Sequence, residues 1–181
     1  MNKTKNQHIN KNNIFYTKKN IFDVCLNIIK SKELGSSIII PHVCNNINVF
    51  GAGFAAAISK EFPEVKDNYH LLGKNQKLGH VQYISVKKDS DYGHEIIVAN
   101  MVAQNGIRSP KNSRPLNYFA LGYCMKNVSS FIQNKKQYDN TLSFQIHCPK
   151  FGSGLSGGNW SFVENLIEDV WTNEKITVYQ Y

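Results

Sequence analysis

Twice in this sequence an apolar strand runs through a glycine-rich turn into a helix, and a chain built that way is committed to an α/β sheet with helices packed over it. In the first unit the run Ile38-Ile39-Ile40-Pro41-His42-Val43-Cys44 leads to Gly51-Ala52-Gly53-Phe54-Ala55-Ala56 and a helix from Phe54 to Phe62, which Pro63 stops. In the second, a strand from Leu142 to Cys148 leads through Pro149 to Gly158, with Gly152-Ser153-Gly154-Leu155-Ser156-Gly157 inside it, to a helix carrying Trp160, Val163, Leu166, Ile167, Val170 and Trp171 inward. Continuous apolar runs of this kind suit strands covered on both faces. Glycine lets backbone N–H groups approach an anion, and a helix N-terminus adds about half a positive charge. Two such turns at carboxyl strand ends, where open α/β sheets bind ligands, suit one diphosphate-linked molecule gripped from both sides.

The rest of the pattern completes one domain. A strand at Ile14 to Thr17, a helix from about Ile21 to about Lys32, broken at Gly35-Ser36, and two strands, His80 to Val86 and Glu95 to Val102, flank these units. The two strands form a hairpin through Asp89-Ser90-Asp91-Tyr92-Gly93. Gln104 to Ser113 reads as a loop whose Arg108 and Lys111, with Arg114, suit a lid over a terminal phosphate. Arg114-Pro115 opens a long helix with Leu116, Phe119, Ala120, Tyr123, Val128, Phe131 and Ile132 inward, and Ile176 to Tyr179 is the last strand. The expectation is a three-layer α/β/α domain over residues 13–181 with a mixed sheet of about six strands, after a disordered polar tail at residues 1–12.

Charge and cysteine usage narrow the ligand class. The net charge is +8, but five of the 21 cations lie in the first twenty residues, which hold no acid; the remainder has 16 cations against 13 acids, a net of +3. A broad nucleic-acid footprint is therefore not indicated, and a compact anion suits the fold better. Asn occurs 22 times, as in AT-rich coding, so a lone Asn carries no signal. Cys25, Cys44, Cys124 and Cys148 form no CxxC pair and read as buried free thiols. No apolar stretch nears a membrane span and residues 1–13 lack a signal-peptide core, so a cytoplasmic monomer is expected.

Several chemistries are excluded. A dinucleotide-binding acid would have to end the next strand, and only Glu174, before the last strand, is near that distance. Gly154-Leu155-Ser156-Gly157-Gly158 matches GxSxG, yet Ser156 lies eight residues past Cys148 and no His follows it. No Gly-Lys-Ser/Thr ends either turn, no Arg stands where a Cys-x5-Arg loop needs it, and the histidines pair with no metal ligand. Catalysis, if present, is expected to be metal-free and cofactor-free.

The string His42-Val43-Cys44-Asn45, then Gly51-Ala52-Gly53 and Phe62-Pro63, resembles the first binding loop of macro domains. Pro149-Lys150-Phe151-Gly152-Ser153-Gly154-Leu155 with Asn159-Trp160 resembles their second loop, and Ile176-Thr177-Val178-Tyr179 their ending. The branch is the one containing yeast-type ADP-ribose-1''-phosphate phosphatase and terminal ADP-ribose protein glycohydrolase. The resemblance implies ADP-ribose as ligand, with adenine near Asn20 and Ile21, where Asn20 replaces the usual Asp. It implies the distal ribose at Gly51, Ala52, Gly53 and Phe54, and the diphosphate within Pro149, Lys150, Phe151, Gly152, Ser153, Gly154, Leu155, Ser156 and Gly157. The glycohydrolase Lys and Asp positions align with Met101 and Ser156, so that covalent mechanism is not expected. The phosphatase-like pattern is met by His42 and Asn45, the candidate catalytic pair; His42 fits either a water-activating group or a hydrogen-bonded strand-end histidine. Hydrolysis of ADP-ribose 1''-phosphate or a related 1''-linked derivative is one expected function, and a non-catalytic ADP-ribose reader the other.

Overall fold

The computed structural model describes residues 13–31, 36–91 and 93–180. The tail at residues 1–12, the Lys32 helix end, Gly35 and Tyr92 lie outside them. Six strands form one sheet: β1 (Ile14–Thr17), β2 (Ser37–Asn45), β3 (Val81–Lys88), β4 (Glu95–Gln104), β5 (Phe144–Pro149) and β6 (Lys175–Tyr179), in the order β1-β6-β5-β2-β4-β3. All neighbours are parallel except β3, which pairs antiparallel with β4 as the expected hairpin. The mixed six-stranded sheet of the sequence reading is the sheet observed.

Among the described residues five helices cover it. α1 (Ile21–Lys30), α2 (Phe54–Glu61) and α3 (Pro63–Leu71) lie over one face, packing with Ile38 and Ile40 of β2 and Ile96 and Val98 of β4. α4 (Tyr118–Tyr138) and α5 (Trp160–Val170) cover the other, where Ile39, Ile97, Met101, Ile146 and Val178 meet Leu121, Cys124, Val128, Ile167 and Trp171. Even residues of β2 thus face one layer and Ile39 the other, as strand alternation requires. The four cysteines are free and buried. Among the described residues no helix is long and apolar enough to cross a membrane.

Four local readings need correction. Pro63 does more than stop α2: its fixed φ and missing N–H suit the first position of α3, a helix the sequence reading lacked. α3 is mostly polar and anchors itself through Val65 and Tyr69, one turn apart, which is too short a stripe to stand out. α4 begins at Tyr118 behind an Asn117 cap whose side chain accepts from the Ala120 N–H, three residues after Pro115. Phe119 and Tyr123, expected inside, are 76% and 53% exposed, because the buried stripe runs through Ala120, Leu121, Cys124, Val128 and Ile132. Gln104 ends β4 rather than opening a loop.

Candidate functional site

β2 and β5 are hydrogen-bonded neighbours, so their carboxyl ends release the two glycine turns side by side. Between the turns lies a crevice of two adjoining chambers, each of about 250 Å³. Val43, Ala52, Ala55, Gln104 and Leu155 line both chambers. The first chamber adds Asn45, Phe50, Gly51 and Arg108; the second adds His42, Gly53, Phe54 and Pro149 through Gly152, with Gly154 and Ser156. Gly53 and Gly154, distant in sequence, therefore belong to one crevice. The two turns also come close to one another, since a Cβ placed on Gly53 would lie 3.5 Å from Leu155 Cδ1.

The first turn presents an open helix end. Gly53 caps α2 at φ 57°, without any side-chain bond to the first N–H groups, and no acidic residue stands in the first turn. This helix end stands at the crevice, whose wall includes Ala52, Gly53, Phe54 and Ala55, and the positive end of a helix attracts an anion. The second turn is closed on itself. The Gly158 N–H donates to Gly152 O, the Gly157 N–H to Gly154 O, and the Ser153 hydroxyl to Lys150 O. The Gln104 amide donates to Ser156 Oγ, tying β4 to this turn, and the Leu116 N–H donates to Ser156 O.

The candidate pair is built into the crevice wall differently from a free acid and base. His42 is 2% exposed, and its Nε2 lies 2.5 Å from Asn100 Oδ1. The edges of Phe50 and Phe54 flank the ring. Burial pushes its pKa down to about 4, so the imidazole stays neutral at ordinary pH. Both ends of the Asn45 side chain are engaged: Oδ1 accepts from the Ile47 and Val49 N–H groups and Nδ2 donates to Val49 O. Tyr69 of α3 donates to the Asn45 backbone oxygen. Asn45 thus holds the 45–49 loop that forms one edge of the first chamber.

Other predicted residues are placed as follows. Asn20 caps α1, its Oδ1 accepting from the Phe22 and Asp23 N–H groups, and Ile21 is wholly buried. Neither lines the crevice; the link is indirect, through Phe22, whose ring stacks on Phe54 at 5.9 Å. Phe151 lines the second chamber but is 4% exposed and packs edge-on against Trp160 and Trp171. Lys150 sets its ammonium 5.5 Å from the Trp160 ring centre. Of the lid cations, Arg108 reaches the crevice, whereas Arg114 lies over the Tyr118 ring at 4.9 Å. Gln104 and Phe50 are site residues that the sequence reading did not single out. A strand-end polar residue after Met101-Val102-Ala103 was the available signal for Gln104.

Comparison with known proteins agrees with this architecture. No protein-family model matches the chain. A protein from Candida albicans named ADP-ribose 1''-phosphate phosphatase is 24% identical over 146 residues, covering 80% of this chain and 88% of its own. A solved structure of a Bacteroides thetaiotaomicron protein of unknown function superposes with a TM-score of 0.72 at 29% identity, over 93% of this chain and 98% of that one. A macrodomain protein from Streptomyces coelicolor superposes with a TM-score of 0.64 at 27% identity, over 93% and 99%. With the sheet order, the two converging turns and these likenesses together, the chain has the macro-domain fold.

Proposed function

We propose that this macro domain binds ADP-ribose across the crevice and hydrolyses ADP-ribose 1''-phosphate or a related 1''-linked derivative. The observation that carries the reading is the meeting of the two glycine turns in one crevice, one turn ending in a helix N-terminus with no side-chain cap and no acidic residue in its first turn. The name of the Candida albicans relative supports the substrate class. In this reading the diphosphate lies between Gly53–Phe54 and Gly152–Ser156, held by backbone N–H groups that offer charge-compatible donors without a counter-ion to displace. The distal ribose occupies the first chamber, and Arg108 meets the terminal phosphate.

Hydrolysis needs water to attack phosphorus while the bond from phosphorus to O1'' breaks, and the proton that the water loses ends on the ribose oxygen. Backbone donors stabilise the charge that develops on the phosphoryl oxygens. His42, neutral and weakly basic, orients the water by accepting its hydrogen bond rather than by storing its proton. Asn45 acts as a positioning residue through the 45–49 loop.

One observation favours a second reading, a non-catalytic ADP-ribose reader: His42 Nε2 and both ends of the Asn45 side chain already make bonds within the protein. Calorimetry with ADP-ribose, paired with phosphate release from ADP-ribose 1''-phosphate, separates the two. Binding with turnover that falls at least tenfold in His42→Ala supports the phosphatase; binding without turnover selects the reader. No saturable binding removes both.

A further inference from the structure

The register of the sheet sets three polar side chains in a line. His42 of β2 is the direct partner of Asn100 of β4, and Asn100 is the direct partner of Gln82 of β3. Directly paired residues put their side chains on the same face. The three therefore form a ladder across adjacent strands, on the side covered by α1, α2 and α3. Asn100 is fully buried. Its Nδ2 donates to Gln82 Oε1 at 3.0 Å, and Gln82 Nε2 donates to the backbone oxygen of Asn68 in α3 at 2.9 Å.

The direction of every bond in this ladder follows from its last member. A backbone carbonyl can only accept, so Gln82 must turn its NH2 toward Asn68. Its carbonyl oxygen is then what faces Asn100, and Asn100 must donate to it with its own NH2. That leaves the Asn100 oxygen toward His42, 2.5 Å from Nε2. An amide oxygen also only accepts, so Nε2 must carry the proton. Turning Gln82 over would set its NH2 against that of Asn100 and its oxygen against the Asn68 carbonyl, and turning Asn100 over would set two amide oxygens against each other. Either loses a bond to the buried Asn100 amide and leaves like groups facing, which costs more than the bond alone.

We propose that Gln82 and Asn100 are positioning residues that hold His42 in its Nε2–H tautomer and so make Nδ1 the ring's acceptor toward the crevice ligand. His42 forms part of the wall of the second chamber. The groups that face its ring are Asn100, the Phe50 and Phe54 rings, and the Cys44 sulfur, a weak partner 3.8 Å from Nδ1 and 3.9 Å from Nε2. A ring fixed this way accepts a hydrogen bond from a ligand hydroxyl or a bound water and cannot donate one from the same atom. The inference deepens the proposed function, whose His42 role requires an acceptor, but the tautomer itself is set by the protein alone.

Two-bond proton–nitrogen correlation spectra of the histidine-labelled full chain, free of ligand, test it. The His42 signals are identified by their loss in His42→Gln. In the parent protein Nε2 is expected at a protonated-type shift and Nδ1 at an unprotonated one from pH 6 to 8. A reversed pattern, or an even mixture, overturns the proposal whether or not ADP-ribose binds. In Gln82→Leu the Asn100 amide is free to turn over, and the Nε2–H to Nδ1–H ratio should fall about tenfold, the scale of one buried hydrogen bond. An unchanged ratio in a Gln82→Leu protein with a native amide spectrum also overturns it; should that variant not fold, the parent spectrum decides alone.

Discussion

The two glycine turns match the same motif and use their glycines for different ends. At the first, Gly51 and Gly53 have φ of 128° and 57°, and a Cβ on Gly51 would meet nothing within 4 Å. There the backbone needs glycine and the space belongs to the crevice. At the second, Gly157 and Gly158 are required by neighbours: an added Cβ would come within 2.5 Å of Ser113 O at Gly157, and within 2.4 Å of Leu116 Cδ2 at Gly158. Gly154, between them and the crevice, faces open space without left-handed φ. The first turn is thus a conformational device at the mouth of a helix, whereas the second adds tight packing at Gly157 and Gly158 to the left-handed φ of Gly152 and Gly157, with Gly154 open toward a ligand.

Substitutions should break this comparison at predictable places. Gly157→Ala combines left-handed backbone strain with a clash against backbone, and is expected to cost about 2–5 kcal/mol, on the order of 10 °C in Tm by thermal melting. Gly154→Ala should leave stability within about 0.5 kcal/mol and still weaken ADP-ribose binding about tenfold in calorimetry. If the two variants behave alike, the division of labour is wrong.

Each turn-bearing strand also carries a buried histidine, which extends the comparison to acid. His42 of β2 lines the crevice, while His147 of β5 bonds the Tyr179 hydroxyl at 2.7 Å. Burial pushes both pKa values down to about 4, with Lys175 adding to the effect at His147. Above about pH 6.5 both rings are neutral folded or unfolded and contribute nothing. As the pH falls from there toward 4, the unfolded chain takes up protons that the folded chain refuses, and stability drops by up to about 3 kcal/mol per histidine. Urea titrations over that window should show the loss, and His42→Gln and His147→Gln should each flatten it. Only the His42 variant should alter ligand binding.

Smaller effects sharpen the role of the open helix end. Ala55→Glu puts a carboxylate at the α2 N-terminus, where the macrodipole favours it by about 0.3–1 kcal/mol, so the fold should hold or gain stability. The same charge should reduce ADP-ribose affinity tenfold or more. Arg108→Ala, at the exposed edge of the first chamber, should weaken ADP-ribose 1''-phosphate by only about two- to fivefold and ADP-ribose less.

The sheet and the crevice were legible in the sequence because they rest on apolar runs and glycine spacing. The strand Ile14–Thr17 and both turns stand where those signals put them. What was hidden depends on pairing or on weak amphipathicity. α3 shows only Val65 and Tyr69 to the core, so Pro63 read as an ending rather than a beginning. Helical periodicity alone could not choose the face of α4, which left Phe119 and Tyr123 on the wrong side. The His42–Asn100–Gln82 ladder joins residues that no local pattern connects; only strand register brings them into line. Asn45 shows the converse: its motif position is clear, while the bonds that consume its side chain come from a loop conformation the sequence does not announce.

The most direct test of the central claim follows the backbone amides of both turns in one titration with ADP-ribose by two-dimensional NMR. The N–H groups of Gly53 to Ala55 and of Gly152 to Ser156 are expected to shift together along one saturation curve at one ligand per chain. Shifts confined to a single turn, or two curves with different midpoints, would contradict a crevice in which both turns hold the same molecule.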